Sequence, residues 1–195
     1  MTSTTPKSDS WVTVATTKKK PTKPTSPAPT PDPHPLHGTW VCWYHNPNNI
    51  SWDLESYRQI LKFNTIEDFW ILNNSLGNIN DGMFYLMREG YPPLWDHPMN
   101  INGGGWTFRV DKKYAYDFWV SLTCYCIGER ISSHPENVVG VSISPKIRFV
   151  TIRLWTRSNN KDPSEFNDIK RETENGSVKI DFTEARFTPN SEAAK

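Results

Sequence analysis

The chain has 195 residues, with 22 Lys and Arg against 21 Asp and Glu and a formal net charge of +1. That length suits one domain with a tail. The near-neutral balance excludes a grip on nucleic-acid backbone through a broad basic face, yet leaves room for a few placed residues that read one nucleotide.

Residues 1–33 are rich in Ser, Thr, Pro and Lys and end in "KKKPTKPTSPAPTPDP". Such a stretch buries too little apolar surface to offset its ordering entropy, so a disordered, solubilising tail is expected. Within it only "WVTVA" at Trp11 hints at a docking motif. A domain is expected over 34–188 and a second disordered tail over 189–195. "HGTWVCWYHN" is strand-like, and "SYRQILKFN" is a second strand after an Asn/Pro loop that holds Trp52. "TIEDFWILNNSL" predicts a helix, with Thr65 as N-cap and Asp68 three residues on. "GMFYLMR" and "GWTFRV" are strands on either side of the loop "YPPLWDHPMNINGG". "YAYDFWVSLTCYCIGE" predicts a longer helix, and "VVGVSISPKIRFVTIRLWT" two strands about a turn near Pro145. "DPSEFNDIKRET" reads as a third helix, opened by Asp162 and Pro163. Asn175-Gly176-Ser177 is a turn, and "SVKIDF" and "EARF" close the chain as strands. The sum is an α+β fold: a curved antiparallel sheet with helices on one face.

Three cysteines (Cys42, Cys124, Cys126) contain no C-x-x-C pair. They give neither a disulfide framework nor zinc spacing, and read as reduced cytosolic thiols. No apolar run reaches membrane-spanning length, and the N-terminus has no signal-peptide pattern. The histidines show no metal-ligand spacing and the acids no pairing for acid–base chemistry, so neither metal, cofactor nor enzyme activity is expected.

Nine tryptophans exceed what one small core needs, so some are expected at the surface. Along the strand near residue 153, Val150, Ile152 and Leu154 face one way; Thr151, Arg153 and Trp155 face the other. The first set suits the helix-packed core, the second an open face that Ser142, Ser144 and Lys146 share. If the loop residues Trp52 and Trp95 hang over that face, two parallel indoles make a slot for a flat ligand, and a cationic one gains most. Asp96 beside one wall accepts two hydrogen bonds from adjacent N–H groups, as guanine's N1–H and N2–H offer. Methylation at N7 makes that ring cationic, so slot and carboxylate point to 7-methylguanine. On the first helix, Phe69, Leu72 and Leu76 form one apolar stripe, enough for packing. Ile66 and Trp70 form a second, which suggests an exposed partner site.

Several motifs then agree in order and spacing: "HPLHGTWVCWYHN", "SWDLESYRQILKFNTIEDFW", "PPLWD", "GGGW", "FWVSLTCYCIGE" and "IRLWT". From about His34 to near Phe187 the chain resembles eukaryotic translation initiation factor 4E, the messenger-RNA cap-binding family. The resemblance implies a cupped-hand fold, an eight-stranded curved antiparallel sheet backed by three helices. It implies that Trp52 and Trp95 stack on the cap, that Asp96 stands where the family usually has glutamate, and that Trp155 touches the N7-methyl group. Lys146 falls at a phosphate-binding arginine. The family's second phosphate lysine aligns with Thr151, which leaves Arg153 as its substitute. "NGGGW" (Asn102–Trp106) stands where the family has "RGGRW", with two positive charges fewer. Trp70 matches the tryptophan that binds the Tyr-x-x-x-x-Leu helix of the scaffold factor 4G and of repressors, with His34, Pro35, Leu36 and Val120 in the same site. Ser121 and Cys124 depart from the family's glutamate and leucine. These departures imply a divergent member, such as a protist's, and leave a further-methylated cap open.

The expected function is cytoplasmic: holding the 7-methylguanosine cap of messenger RNA and recruiting a scaffold to start translation. The alternative is a cap-binding repressor that does not recruit the scaffold productively. A sugar-stacking carbohydrate module is a rival from another class, but it needs neither Asp96 nor Lys146.

Overall fold

The structure is a computed structural model that describes residues 32–193. The expected tail over 1–33 and its "WVTVA" segment lie outside the described residues apart from Asp32 and Pro33. In chain order the elements are β1 (Pro35–His45), β2 (Tyr57–Thr65), α1 (Ile66–Ser75), β3 (Met83–Arg88), β4 (Gly104–Asp111), α2 (Ala115–Ile127), β5 (Val138–Pro145) and β6 (Phe149–Thr156). They are followed by β7 (Ile169–Thr173), β8 (Gly176–Ile180), β9 (Arg186–Pro189) and α3 (Asn190–Ala193). Seven strands form one curved sheet in the order β2-β1-β3-β5-β6-β4-β9, and β7 and β8 form a separate hairpin. Every pairing is antiparallel.

Period-two alternation gives the sheet two apolar faces. Cys42, Phe84, Leu86, Val141, Ile143, Val150, Ile152 and Leu154 point to the main core with α1 and α2. Tyr57, Tyr85, Met87, Val139 and Trp155 form a smaller cluster on the other face, with Trp43, Met83 and Leu94 against it. The core parity read from β6 is therefore correct: Val150, Ile152 and Leu154 are all fully buried. Burial also pushes the Cys42 thiol up to about 12, and all three cysteines are free.

Helix α1 begins where its capping signal places it, with the Thr65 side chain accepting from the Asp68 amide. Phe69 and Leu72 are buried. Asn73 is buried too, and its Oδ1 accepts from Trp119 Nε1 at 3.2 Å, which ties α1 to α2. The third helix, expected over "DPSEFNDIKRET", is not there. Asp162 does cap a turn by accepting from the Ser164 amide, but the 3-10 turn ends at Glu165. The chain then becomes β7, because Phe166 leaves to stack on Phe182 at 4.4 Å and Ile169 enters the core beside Val178 and Ile180. The hairpin turn falls at Glu174-Asn175, one residue earlier than the expected Asn175-Gly176-Ser177: Gly176 opens β8 opposite Thr173 at φ 122°, a region glycine favours, and Ser177 already pairs with Glu172. The third helix is instead α3. Residues 189–193, expected as a tail, are built into the fold: Pro189 pairs with Gly104, and Asn190 is fully buried.

Candidate functional site

The sheet's open face carries an aromatic floor, and two loops add walls above it. The β1–β2 loop supplies Trp52 and the β3–β4 loop supplies Trp95 and Asp96. These three residues line one cavity of about 510 Å³, together with Tyr57, Tyr85, Pro93, Leu94 and Ala193. Trp52 and Trp95 are 51% and 41% exposed, far more than a core tryptophan such as Trp40 at 1%. The two loop indoles and the carboxylate thus meet as the sequence suggests.

Each wall has a specific support. Behind Trp52 lies the ring of His45, parallel within 6° and 4.4 Å away. Trp95 leans on Trp155, with centroids 6.3 Å apart. Its loop is held by Asn100, whose side-chain amide donates to the Pro92 carbonyl at 2.7 Å and the Leu94 carbonyl at 2.8 Å. Burial, then the neighbouring Tyr85 and Asp96, holds the Tyr57 phenol well above its ordinary range. Burial pushes Tyr85 up to about 12. Both phenols therefore stay neutral donors at physiological pH.

Two residues expected on the open face are on the right side of the sheet but covered. Trp155 is fully buried, with its Nε1 donating to Ser142 Oγ at 2.9 Å. The Trp95 loop closes over it, which strand parity does not reveal. Arg153 is 9% exposed. Its guanidinium donates to the Thr188 carbonyl at 2.9 Å and to Asn190 Oδ1 at 2.8 Å, and burial lowers it to about 10. It lies against Gly105, where a Cβ would sit 2.5 Å from Arg153 Nε. The missing side chain in the "NGGGW" stretch thus makes room for this arginine. No carboxylate pairs with it among the described residues, so Arg153 is a caged cation rather than a free one.

Lys146 is exposed but outside the cavity lining, on the β5–β6 turn with Ile147 and Arg148. Sequence reading missed Arg109. It sits directly across from Thr151 in the β4–β6 register, is exposed, and stacks 3.9 Å over the Phe149 ring. The signal was available, since Trp106, Phe108 and Val110 alternate inward and leave Arg109 facing out. His45, Asn100 and Asn190 were also missed. They carry no sequence pattern, because their roles depend on which loop lands on them.

On the helix-covered side, Ile66 and Trp70 are 41% and 39% exposed, and Ile71 beside them 60%. His34 and Pro35 are exposed and Leu36 half-buried. The His34 ring and amide both bond Glu67 in the first turn of α1, which fixes the start of β1 beside this patch. Val120, expected in the same surface, is 3% exposed and belongs to the core. Ser121 is equally buried, with Arg171 of β7 3.4 Å away.

Comparison with known proteins places this geometry. The family model described as eukaryotic initiation factor 4E matches residues 35–195. Translation initiation factor 4E-3 of Caenorhabditis elegans is 30% identical over 141 residues, covering 66% of this chain and 56% of that protein. Initiation factor 4E of Xenopus laevis is 32% identical over 139 residues, covering 66% and 65%. The chain thus spans less than two thirds of the length of these relatives. Among solved structures, Ascaris suum initiation factor 4E-3 with an m2,2,7G cap superposes with a TM-score of 0.62 at 29% identity, over 67% of this chain and 77% of that one. The C. elegans 4E-3 complex with the 4E-binding protein Mextli and a cap analog gives 0.62 at 27% identity, over 67% and 78%. By the family match and the shared fold, this chain belongs to the eukaryotic initiation factor 4E family.

Proposed function

We propose that this protein binds the 7-methylguanosine cap of messenger RNA in the cytoplasm. It acts in translation initiation by presenting the bound cap to a scaffold factor of the 4G type. The observation that carries this reading is the joint placement of Trp52, Trp95 and Asp96 around one cavity. A flat cation between indoles gains cation–π attraction. A carboxylate at the same mouth accepts from guanine's N1–H and N2–H. The relatives support it, since solved family members hold m7G and m2,2,7G caps.

The mechanism is binding, with no bond made or broken. The base enters between Trp52 and Trp95 and lifts the Trp95 ring from Trp155, so that Trp155 meets the N7-methyl group. The phosphates then run along β6 towards the β5–β6 turn. Phe149 and Trp155 lie six positions apart in β6, about 20 Å of strand. Arg109 flanks that path beside Thr151, and Lys146 stands at its end. Arg153 contributes field from beneath, since Thr188 and Asn190 already occupy its donors. On the opposite side Ile66 and Trp70, with His34, Pro35 and Leu36, form the apolar patch for a partner helix. A scaffold and a 4E-binding repressor would both use that patch; the reading is supported by related structures in complex with the 4E-binding protein Mextli and with a 4E-BP.

Retention on 7-methyl-GTP resin tests the reading. The protein should be held, should elute with free 7-methyl-GTP, and should stay bound in GTP or a neutral oligosaccharide. Elution by GTP at the same concentration would refute selectivity for the methylated base. Elution by the oligosaccharide would favour a sugar-stacking module.

A further inference from the structure

Asn190 opens α3 at the end of β9 and is fully buried. Its hydrogen bonds reach two other parts of the fold. Its backbone amide donates to the Gly103 carbonyl at 3.0 Å, and its Nδ2 donates to the Asn100 carbonyl at 2.8 Å. Both carbonyls belong to the turn that ends the Trp95 loop, where the Gly103 amide also donates to Asn100. Asn190 Oδ1 accepts from the Arg153 guanidinium of β6 at 2.8 Å. The Asn100 side chain in turn holds the Pro92 and Leu94 carbonyls, so one chain of bonds runs from Asn190 to the Trp95 wall. The glycine run lets these segments approach. A Cβ at Gly103 would meet the Thr156 carbonyl, one at Gly104 the Phe187 ring of β9, and one at Gly105 the Arg153 guanidinium. Three residues beyond Asn190, Ala193 lines the cavity itself. Trp52 stands on the other loop, which none of the Asn190 hydrogen bonds reaches.

We infer that Asn190 is a positioning residue of the slot: it carries the docking of the β9–α3 segment to the Trp95 wall and leaves the Trp52 wall untouched. The inference rests on the cap-binding reading for its ligand. An amide suits this place because it both donates and accepts. Its donor satisfies the carbonyl of a buried loop residue. Its acceptor satisfies a guanidinium that has no carboxylate partner among the described residues. Loss of either leaves a buried polar group unpaired. The two bonds have different consequences. The one to Arg153 ties β6 to α3 and serves stability. The one to Asn100 fixes the loop that presents Trp95, so its loss adds an ordering cost to binding. A side chain that keeps the acceptor and lacks the donor separates the two.

The test has two arms. Asn190→Asp and Asn190→Ala are compared with the wild type by melting and by titration with the 7-methylguanosine nucleoside, which carries no phosphates. Asn190→Asp offers Arg153 a carboxylate but turns an acceptor on the Asn100 carbonyl, whereas Asn190→Ala loses both bonds. Melting temperature should therefore fall in the order wild type, Asn190→Asp, Asn190→Ala. Affinity should follow a different order, with Asn190→Asp the weakest, roughly threefold or more below the wild type. The added negative charge alone would favour the cationic nucleoside, so this loss isolates the loop. Affinity that follows the melting order would make Asn190 a purely structural residue and overturn the proposal. Unchanged affinity in Asn190→Asp overturns it even if Asn190→Ala does not fold. The second arm needs no ligand: the Trp95 and Trp52 indole 1H–15N resonances, assigned through Trp95→Phe and Trp52→Phe, are compared across the variants. The Trp95 signal should shift and the Trp52 signal stay in place; movement of both, or of neither, would overturn the coupling. Failure of the wild type to bind 7-methylguanosine would sink the cap reading, while this arm would still decide whether Asn190 controls Trp95.

Discussion

Asn100→Ala removes two hydrogen bonds and nothing else of comparable size. The side chain is 1% exposed, and its amide nitrogen donates to the carbonyls of Pro92 and Leu94, three residues and one residue before Trp95. Two neutral bonds at roughly 0.5–1.5 kcal/mol each give a stability loss of about 1–3 kcal/mol. The lower half is expected, because Pro92 and Leu94 are only half-buried and water can reach their carbonyls after a small loop movement. For a domain of this size the shift in Tm is then roughly 2–8 °C. Cap affinity should fall by more than the stability change alone suggests. A ring already held in place gives its stacking energy of about 1–3 kcal/mol without an ordering cost. A loop freed from Asn100 must be ordered on binding, so a loss of about tenfold, or 1.4 kcal/mol, is expected. Asn100→Asp should be worse than alanine, since it sets a carboxylate against two carbonyl oxygens. Melting curves and tryptophan-quenching titrations with 7-methyl-GTP decide it. A variant that melts several degrees lower yet binds with unchanged affinity would refute the claim that Asn100 preorganises the Trp95 wall.

Three further outcomes are expected. Asp96→Asn should weaken 7-methyl-GTP binding by roughly tenfold or more, because the amide loses the charge and turns donors toward donors; unchanged calorimetric affinity would place the reading of guanine's edge elsewhere. Lys146→Ala should cost more with 7-methyl-GTP than with the 7-methylguanosine nucleoside, and equal losses would remove Lys146 from the phosphate path. Trp70→Ala should leave cap binding intact and lower the affinity of a 4E-binding peptide by about 2 kcal/mol or more, the size of an interface hot spot. With its ring 39% exposed and edge-on to Phe69, it should cost less than the ~3–5 kcal/mol of a fully buried tryptophan; a collapsed melt with lost cap binding would make it a core residue.

What the sequence made legible follows from local physics. Thr65 with Asp68 marks the start of α1, and the alternation at 150–155 identifies the core face of β6, because both depend on residues a few positions apart. What it hid depends on distant segments. Parity places Trp155 and Arg153 on the open face, but only the Trp95 loop and β9 decide that they are covered. Asp162-Pro163 is a real N-terminal signal that opens a single turn; Ile169 in β7, then Val178 and Ile180 of β8 across the Glu174-Asn175 turn, outweigh it by joining the core. The buried Asn190 shows the same limit, since its worth lies in Arg153 and in Asn100, whose carbonyl accepts from it. The loop "YPPLWD" was readable as the wall of a cavity because its aromatic and acidic residues are carried within the segment.

The central claim is that Trp52, Trp95 and Asp96 select a cationic guanine. It is tested most directly by the ratio of dissociation constants for GTP and 7-methyl-GTP, measured by tryptophan quenching in one buffer. A desolvated cation–π contact of about 1–2 kcal/mol predicts a ratio of roughly 5–30 or more in favour of the methylated nucleotide. Replacing Trp52 by alanine should collapse that ratio along with the affinity. A ratio near one in the wild type would contradict the account, whatever else the cavity binds.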